Sequence, residues 1–306
     1  LSEKAKKNLI VVVGPTAVGK TALCIELSQI FSADIVSADS RQFYKEMAIG
    51  TAKPTPEELA QAPHHFVDSH SIENELNAGS FEVQGLKKIH LLFEKQNNVI
   101  LTGGSGLYIQ AICEGFDDMP QIPPVIRANL KKEFELGGIK PLLEELKIKD
   151  SAYFETVDQD NHQRVIRALE VIRFSNAPFS EFLKRDFALR PFNCIKVALQ
   201  RPTEELYERI NHRVDLMFEA GLEQEVRSLI GFRDRYALQT VGYKEVFGWL
   251  DKEYDFEECV RLLKRNTRRY AKRQMTWFRK DKGYTWFHPD QKDGIVTHIS
   301  KIINHE

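Results

Sequence analysis

Residues 14–21 read GPTAVGKT, an instance of G-x-x-x-x-G-K-[ST]. The chemistry this spacing serves is the holding of phosphate. Gly14 and Gly19 let the chain curl around Pro15, Thr16, Ala17 and Val18, so that backbone N–H groups and a following helix N-terminus converge on phosphate oxygens. Lys20 adds a point charge, and the Thr21 hydroxyl can reach Mg²⁺. Such a loop shows only that phosphates bind, and a nucleotide kinase or NTPase is the first guess. Two features weaken it. The apolar run at 99–102 (VILT) passes directly into Gly103 and Gly104, without the acidic residue that NTPases often place there to hold Mg²⁺. The run at 34–38 instead ends in Asp39 and Ser40, where one carboxylate faces the phosphate end as a metal holder, a general base or a solvated loop residue.

Other residues offer weaker chemistry. Arg164 and Arg167 project together from a helix over 161–173 whose apolar face is Val165, Leu169 and Ile172; they suit phosphates or a base edge, though charges at this spacing commonly mark a solvated face. Between 261 and 282, Arg261, Lys264, Arg265, Arg268, Arg269, Lys272, Arg273, Arg279, Lys280 and Lys282 are opposed only by Asp281. Helical spacing sets Leu262, Leu263, Tyr270 and Trp277 on one side of this stretch and Arg265, Arg268, Lys272 and Arg279 on the other, a basic stripe suited to an RNA backbone. Tyr270, Trp277 and Phe278 read as core. The small residues of 103–108 (GGSGLY) permit close backbone approach to a substrate or to a packed helix. Residues 50–54 (GTAKP) form a loop whose Lys53 alone reads equally as a surface charge. His64 and His65 lack metal-ligand partners, and the four cysteines stand apart with no CxxC pair, against a zinc site or a disulfide framework.

The elements that must position these groups follow from hydrophobic period. Asn8–Val13 is a β-branched strand entering the glycine-rich loop, and Leu23, Leu27 and Ile30 then recur at helical spacing. Short apolar runs at 34–37 and 99–102 read as further buried parallel strands, predicting an α/β P-loop core with a mostly parallel sheet. The stretch 117–124 (DDMPQIPP) stops regular structure, a helical pattern continues to about Arg190, and Asn193–Leu199 reads as strand again. The expected organisation is a catalytic core over 8–116 and 193–306, with C-terminal basic helices, and a helical insertion over 117–192.

The chain has 306 residues, 42% of them hydrophobic, enough for a substantial core. Its formal net charge of −1 argues against nucleic acid in sum, but the basic character is concentrated near the C-terminus. No apolar run long enough for a membrane span and no secretory h-region are read, so the expectation is a cytoplasmic enzyme with no membrane partner.

Residues 39–54 (DSRQFYKEMAIGTAKP) resemble the signature of the tRNA dimethylallyltransferases, or tRNA isopentenyltransferases, and the likeness recurs in family order at 62–68, 103–111, 161–171, 209–217, 241–245 and 265–279. The resemblance implies a phosphate cradle that holds dimethylallyl diphosphate and an acceptor at N6 of the adenosine 3′ of the anticodon, with Mg²⁺ as cofactor. It implies Asp39 as general base and Thr21 and Arg213 as diphosphate contacts. It further implies tRNA contacts at Asp39, Ser40, Arg41, Gln42, Lys53, Ser105, Arg127, Gln163, Arg164, Arg167, Arg265, Arg268 and Lys272. Ser105 departs from the commoner threonine but keeps a hydroxyl. The expected partners are a tRNA anticodon stem-loop and the prenyl donor, with the protein a monomer of bacterial-type architecture. Rivals are an adenylate isopentenyltransferase acting on free AMP, ADP or ATP, a small-molecule kinase, and a nucleic-acid binder switched by NTP.

Overall fold

The computed structural model describes residues 6–117, 119–183 and 188–305. Expectations placed on residues 1–5 of the polar N-terminus, on Asp118 of the proline-rich stretch and on 184–187 of the insertion lie outside the described residues. Six strands alternate with helices: β1 Asn8–Val13, β2 Asp34–Ser37, β3 His64–His65, β4 Asn98–Gly103, β5 Asn193–Leu199 and β6 Thr285–Phe287. The helices are α1 Lys20–Phe31, α2 Pro56–Gln61, α3 Ala78–Phe93, α4 Gly106–Cys113, α5 Pro124–Gly137, α6 Lys140–Lys149, α7 Ser151–Thr156, α8 His162–Ser175, α9 Thr203–Glu219, α10 Leu222–Ser228, α11 Tyr243–Leu250, α12 Phe256–Phe278 and α13 Lys292–His305. The chain divides into two compact units, Leu1–Glu114 with Arg190–Glu306, and Gly115–Leu189.

In the larger unit the strands form one parallel sheet in the order β3-β2-β4-β1-β5-β6. β1 is buried throughout, which is why it reads as a continuous apolar run and not as an alternation. The period of two still sorts its residues. Leu9, Val11 and Val13 pack with Phe81, Ile89 and Ile112 of α3 and α4, while Ile10 and Val12 pack with Leu23 and Leu27 of α1, Ile210 of α9 and Ile299 of α13. Because β1 lies between β4 and β5, strand order reverses at its carboxyl end, where open parallel sheets form their ligand crevices. A third cluster around Tyr44, Val214, Tyr243 and Leu263 joins α9, α11 and α12 to the loop after β2. The edge strands β3 and β6 were not anticipated from sequence: at two and three residues, one made of histidines, they carry no periodicity. Cys113 and Cys194, far apart in sequence, meet thiol to thiol in this core. Among the described residues no helix is long and apolar enough to cross a membrane.

The smaller unit packs α5 to α8 around Leu130, Leu142, Leu146, Val165 and Leu169. α8 starts on its Asn161 cap, whose side chain accepts from Arg164 N. Glu170 on this helix is buried, and its carboxylate lies 2.7 Å from Arg127 Nε on α5 and 3.1 Å from Arg167 Nη1. A carboxylate taken out of water needs such partners. Replacement Glu170→Gln keeps the volume and removes the charge, and should loosen the α5–α8 pairing by about 1–2 kcal/mol. Faster amide exchange in α5 and α8 is the expected readout, and unchanged exchange would deny the cluster a structural role.

Candidate active site

The loop at 14–19 is held from outside by its carbonyls. Lys20 Nζ donates to Gly14 O at 3.0 Å and Pro15 O at 2.9 Å, Arg209 Nε to Ala17 O at 2.8 Å, and Arg201 Nε to Val18 O at 2.9 Å. With the carbonyls so engaged, the amides of Ala17, Gly19, Lys20 and Thr21 meet no acceptor among the described residues. They belong to the loop and to the first turn of α1, a pre-formed anion cradle. Gly19 adopts φ 113° as the N-cap of α1, a conformation a side chain would strain, and Ala17 sits in the left-handed region at φ 64°.

Gln274, buried on α12, ties this cradle to the neighbouring strand end. Its Oε1 accepts from Thr16 N at 2.9 Å, and its Nε2 donates to Gly104 O at 2.9 Å. A Cβ on Gly104 would lie 2.1 Å from Gln274 Nε2, so glycine at that position is a steric requirement of the bridge. Asp39 follows β2 in the same crevice. Its Oδ1 accepts from Arg41 N at 3.1 Å, and the adjoining Ser40 is fixed by Ser105, whose Oγ accepts from Ser40 N and contacts Ser40 Oγ, both at 3.0 Å. Gln42 braces the following loop by donating to Thr51 O and Ala52 O.

A cavity of about 350 Å³ joins these groups. Thr16, Ala17, Gly19, Lys20 and Thr21 form its cradle wall, Asp39 and Arg41 another, and Arg209 and Arg213 come from α9; Tyr270 and Gln274 enter from α12, and apolar Val214, Met217, Val241 and Leu263 complete it. Arg213 reaches Thr16 Oγ1 at 3.4 Å. The loop 50–54 is a further wall, and its anchoring explains two sequence features together. Glu225 accepts from the amides of Ala48, Ile49 and Gly50 at 2.7–3.0 Å and from Tyr243 OH at 2.7 Å, while a Cβ on Gly50 would strike the Tyr243 ring at 2.7 Å. Buried Glu245 fixes the start of α11 by accepting from Gly242 N and from Asn266 Nδ2.

The electrostatics suit an anion. Burial pushes the Lys20 ammonium down to about 8, with Asp39 opposing the shift and Arg213 adding to it. Burial, reinforced by Arg209, likewise holds Arg213 below its usual range, with Glu58 opposing. An incoming polyanion relieves both. Tyr270 is pushed above the usual phenol range by burial and by Asp39, so it remains a neutral donor, bonded to Ser105. The Thr21 hydroxyl and the Asp39 carboxylate are hard oxygens lining the cavity, and they fit Mg²⁺ in the manner of sites where substrate phosphates complete the shell. No cluster of three or more His, Cys, Asp or Glu side chains that could hold a metal by itself occurs among the described residues.

The cavity gathers the residues 16, 17 and 19–21 of the cradle with Asp39, Arg41, Gln42, Lys53 and Arg213, while Ser40 and Ser105 stand beside Asp39. Several residues singled out in the sequence occupy other settings. Lys53 is not a surface charge; its ammonium is buried against Tyr44 O and paired with Asp68. On α12 the basic stripe is rotated from its expected place. Arg268 is half-buried, donates to Asn211 Oδ1 at 2.6 Å and lies over the Tyr207 ring, and Arg265 bonds Asn266, because this flank of α12 packs on α9 and α11. The exposed basic positions from 261 to 282 are Arg261, Arg269, Lys272, Arg273, Arg279, Lys280 and Lys282, and Arg269, Lys272, Arg273 and Lys280 line an open groove with Thr276 and Trp277. Phe278 is buried and Trp277 half-buried, but Tyr270 belongs to the cavity and not to the core alone. In the smaller unit Gln163 and Arg164 are exposed, whereas Arg127 and Arg167 are partly committed to Glu170. His64 bonds Ala62 O and His65 pairs with Asp34, consistent with structural roles.

Sequence reasoning missed Gln274, Arg201 and Arg209. Gln274 had a signal: it is the one uncharged polar side chain at helical spacing between apolar Ala271 and Phe278. Arg209 stands one turn before Arg213 on α9, a spacing that also could have marked it.

The sequence model of the IPP transferase family matches residues 42–281. A tRNA dimethylallyltransferase from Cytophaga hutchinsonii is 52% identical over 293 residues, covering 96% of each chain, and tRNA dimethylallyltransferase 1 from Phocaeicola vulgatus is 44% identical, covering 97% of this chain and 99% of its own. The crystal structure of full-length tRNA isopentenylpyrophosphate transferase from Bacillus halodurans superposes with TM-score 0.74 at 34% identity, covering 98% of both chains. That of a eukaryotic dimethylallyltransferase acting on tRNA gives TM-score 0.75 at 27% identity, covering 89% of this chain and 69% of that one.

Two outcomes follow from the geometry. Burial holds the Lys20 ammonium down to about 8, so it loses its proton as pH rises through that range, and an anion draws on the charged form. Inorganic pyrophosphate should therefore bind progressively more weakly as pH rises through about 8, and Lys20→Met should abolish that component of the pH profile in calorimetry. Gln274→Leu strands Thr16 N–H and Gly104 C=O and should cost about 2 kcal/mol of stability in denaturant titration, with weakened pyrophosphate binding.

Proposed function

Since the chain belongs to the IPP transferase family, the tRNA dimethylallyltransferases, we propose that it transfers a dimethylallyl group from dimethylallyl diphosphate to N6 of the adenosine 3′ of the anticodon in tRNA, releasing diphosphate. The observation that carries this reading is the opening of the phosphate cradle and the Asp39 carboxylate onto one cavity.

An adenine amino group is a poor nucleophile because its lone pair is delocalised into the ring. Asp39 is the general base: with Oδ1 engaged by Arg41 N, the other oxygen accepts the N6 proton as the N–C bond forms. On the opposite side the allylic C–O bond breaks and negative charge grows on the diphosphate. The cradle amides, Lys20, Thr21 and Arg213 stabilise that charge as it develops. Arg213 offers a fork of donors to the departing oxygens. Thr21, lining the cavity beside the cradle, would hold a Mg²⁺ ion, which would add to the neutralisation of that charge.

The adenine reaches Asp39 only by leaving its stack in the anticodon loop, at a cost of a few kcal/mol that backbone contacts offset. The exposed cations of α12 and the turn after it, Arg269, Lys272, Arg273 and Lys280, supply such contacts in the larger unit, and Gln163 and Arg164 in the smaller one. Arg268 is better read as a packing residue of α9 and α12. The reading carries with it a cytoplasmic setting and a monomeric enzyme as further proposals. A kinase would leave Asp39 facing a cavity with apolar Val214, Met217, Val241 and Leu263, a lining that suits a prenyl tail.

Incubation with labelled dimethylallyl diphosphate and Mg²⁺ should carry label into an unmodified anticodon stem-loop and not into AMP or ATP; label in the nucleotide alone would reassign the acceptor. Asp39→Asn should retain binding of stem-loop and pyrophosphate while kcat falls by about 10²–10⁴. Full turnover in that variant would remove Asp39 from its role.

A further inference from the structure

We propose that Arg41 and Tyr236 together form a second RNA subsite beside the cavity, a stacking and hydrogen-bonding platform for the nucleotide that flanks the reacting adenosine. The inference rests on the tRNA acceptor proposed above and adds Tyr236, which no motif in the sequence singles out.

The Arg41 guanidinium lies 4.8 Å from the centroid of the Tyr236 ring. Arg41 is part of the cavity wall and Tyr236 is not, so the pair runs from the cavity outward to the surface. The tyrosine is 62% exposed, yet its turn is rigidly based: Ala237 and Leu238, the next two residues, are fully buried, and Gln239 bonds back to Tyr236 O through its amide and to Arg233 O through its side chain. A large aromatic ring is thus presented to solvent on a clamped support, which keeps the ordering cost of a stacked ligand low.

Arg41 is also short of partners. Among the described residues its guanidinium meets no carboxylate within ion-pair distance and no hydrogen-bond acceptor, whereas Arg201, Arg209, Arg233 and Arg268 are all engaged. Its donor edge is therefore available to phosphate or base oxygens. Its backbone is not free: Arg41 N donates to Asp39 Oδ1, so a ligand stacked on this side chain is registered directly against the catalytic carboxylate.

The chemistry of the reaction supplies the occupant. When the adenosine leaves the loop for the cavity, the neighbouring base loses a stacking partner, and RNA-binding sites replace such partners with aromatic rings and guanidinium planes. A stack of this kind tolerates any base, because each has a π-face.

The test uses the full chain, an anticodon stem-loop, and two stem-loops carrying one abasic nucleotide on either side of the target adenosine. Tyr236→Ala should raise KM and Kd for the intact stem-loop about tenfold, with kcat and donor KM changed by less than about twofold. Tyr236→Phe, which keeps the ring, should restore RNA affinity. On one of the two abasic stem-loops the penalty of Tyr236→Ala should disappear. An unchanged RNA affinity in Tyr236→Ala, or an equal loss on all three RNAs, would overturn the subsite. Binding read by fluorescence anisotropy without donor separates this outcome from failure of the proposed reaction, since a wild type that binds RNA but transfers no prenyl group still reports on Tyr236.

Discussion

A phosphate cradle has to face its amides inward while its carbonyls, which cannot be left bare, are satisfied from behind. That constraint organises the larger unit. Lys20 bonds the carbonyls of Gly14 and Pro15 from within the motif, and Arg209 and Arg201 bond those of Ala17 and Val18 from α9 and the segment before it. Gln274 takes the amide of Thr16 and passes the restraint on to Gly104. A six-residue loop thereby draws on three distant parts of the chain, and the order of strands around β1 brings those parts together at the carboxyl end of that strand. The cradle's left-handed Ala17 and Gly19 persist because so many partners over-determine the path.

The opposite wall is built by the same logic with the charges reversed. There a carboxylate, Glu225, collects three consecutive amides of the loop 48–50 and the Tyr243 hydroxyl. Glu245 on α11 performs a similar service at Gly242 and Asn266. Cations organise the carbonyl-rich side of the cavity and anions the amide-rich side, so the rigid frame contributes little net charge. The buried cations Lys20 and Arg213 are left as the groups whose ionisation burial opposes, and whose charge an entering anion would favour.

Arginine usage follows from this division. A net charge of −1 conceals that Arg201, Arg209 and Arg268 are spent on internal carbonyl or amide oxygens, while Arg269, Lys272, Arg273 and Lys280 remain in solvent. The two groups are indistinguishable by residue type. Between Arg268 and its exposed neighbours on α12 the difference lies in whether α9 packs against that side of the helix.

The sequence by itself determined the parallel α/β core, the cradle from Gly14 to Thr21 and the carboxylate at the end of the second strand, because each depends on local spacing: a period of two or 3.6, a glycine at a forced turn, a polar residue where an apolar run ends. It also determined the family, through motifs in fixed order. Only the tertiary structure decided which side chains share the cavity and which are used up in holding it. Gln274 and Thr16 are 258 residues apart, and Glu225 and Gly50 are 175 apart, so neither bridge leaves a local pattern to read. The same reason misplaced the basic stripe: helical period gives the angle between Arg268 and Lys272, but the packing of α9 and α11 sets which angle faces water. Lys53 reads as a loop cation until Asp68 and the Tyr44 carbonyl close around it. Chemistry that depends on one short segment is legible in the chain; chemistry that depends on burial is fixed only when the segments meet.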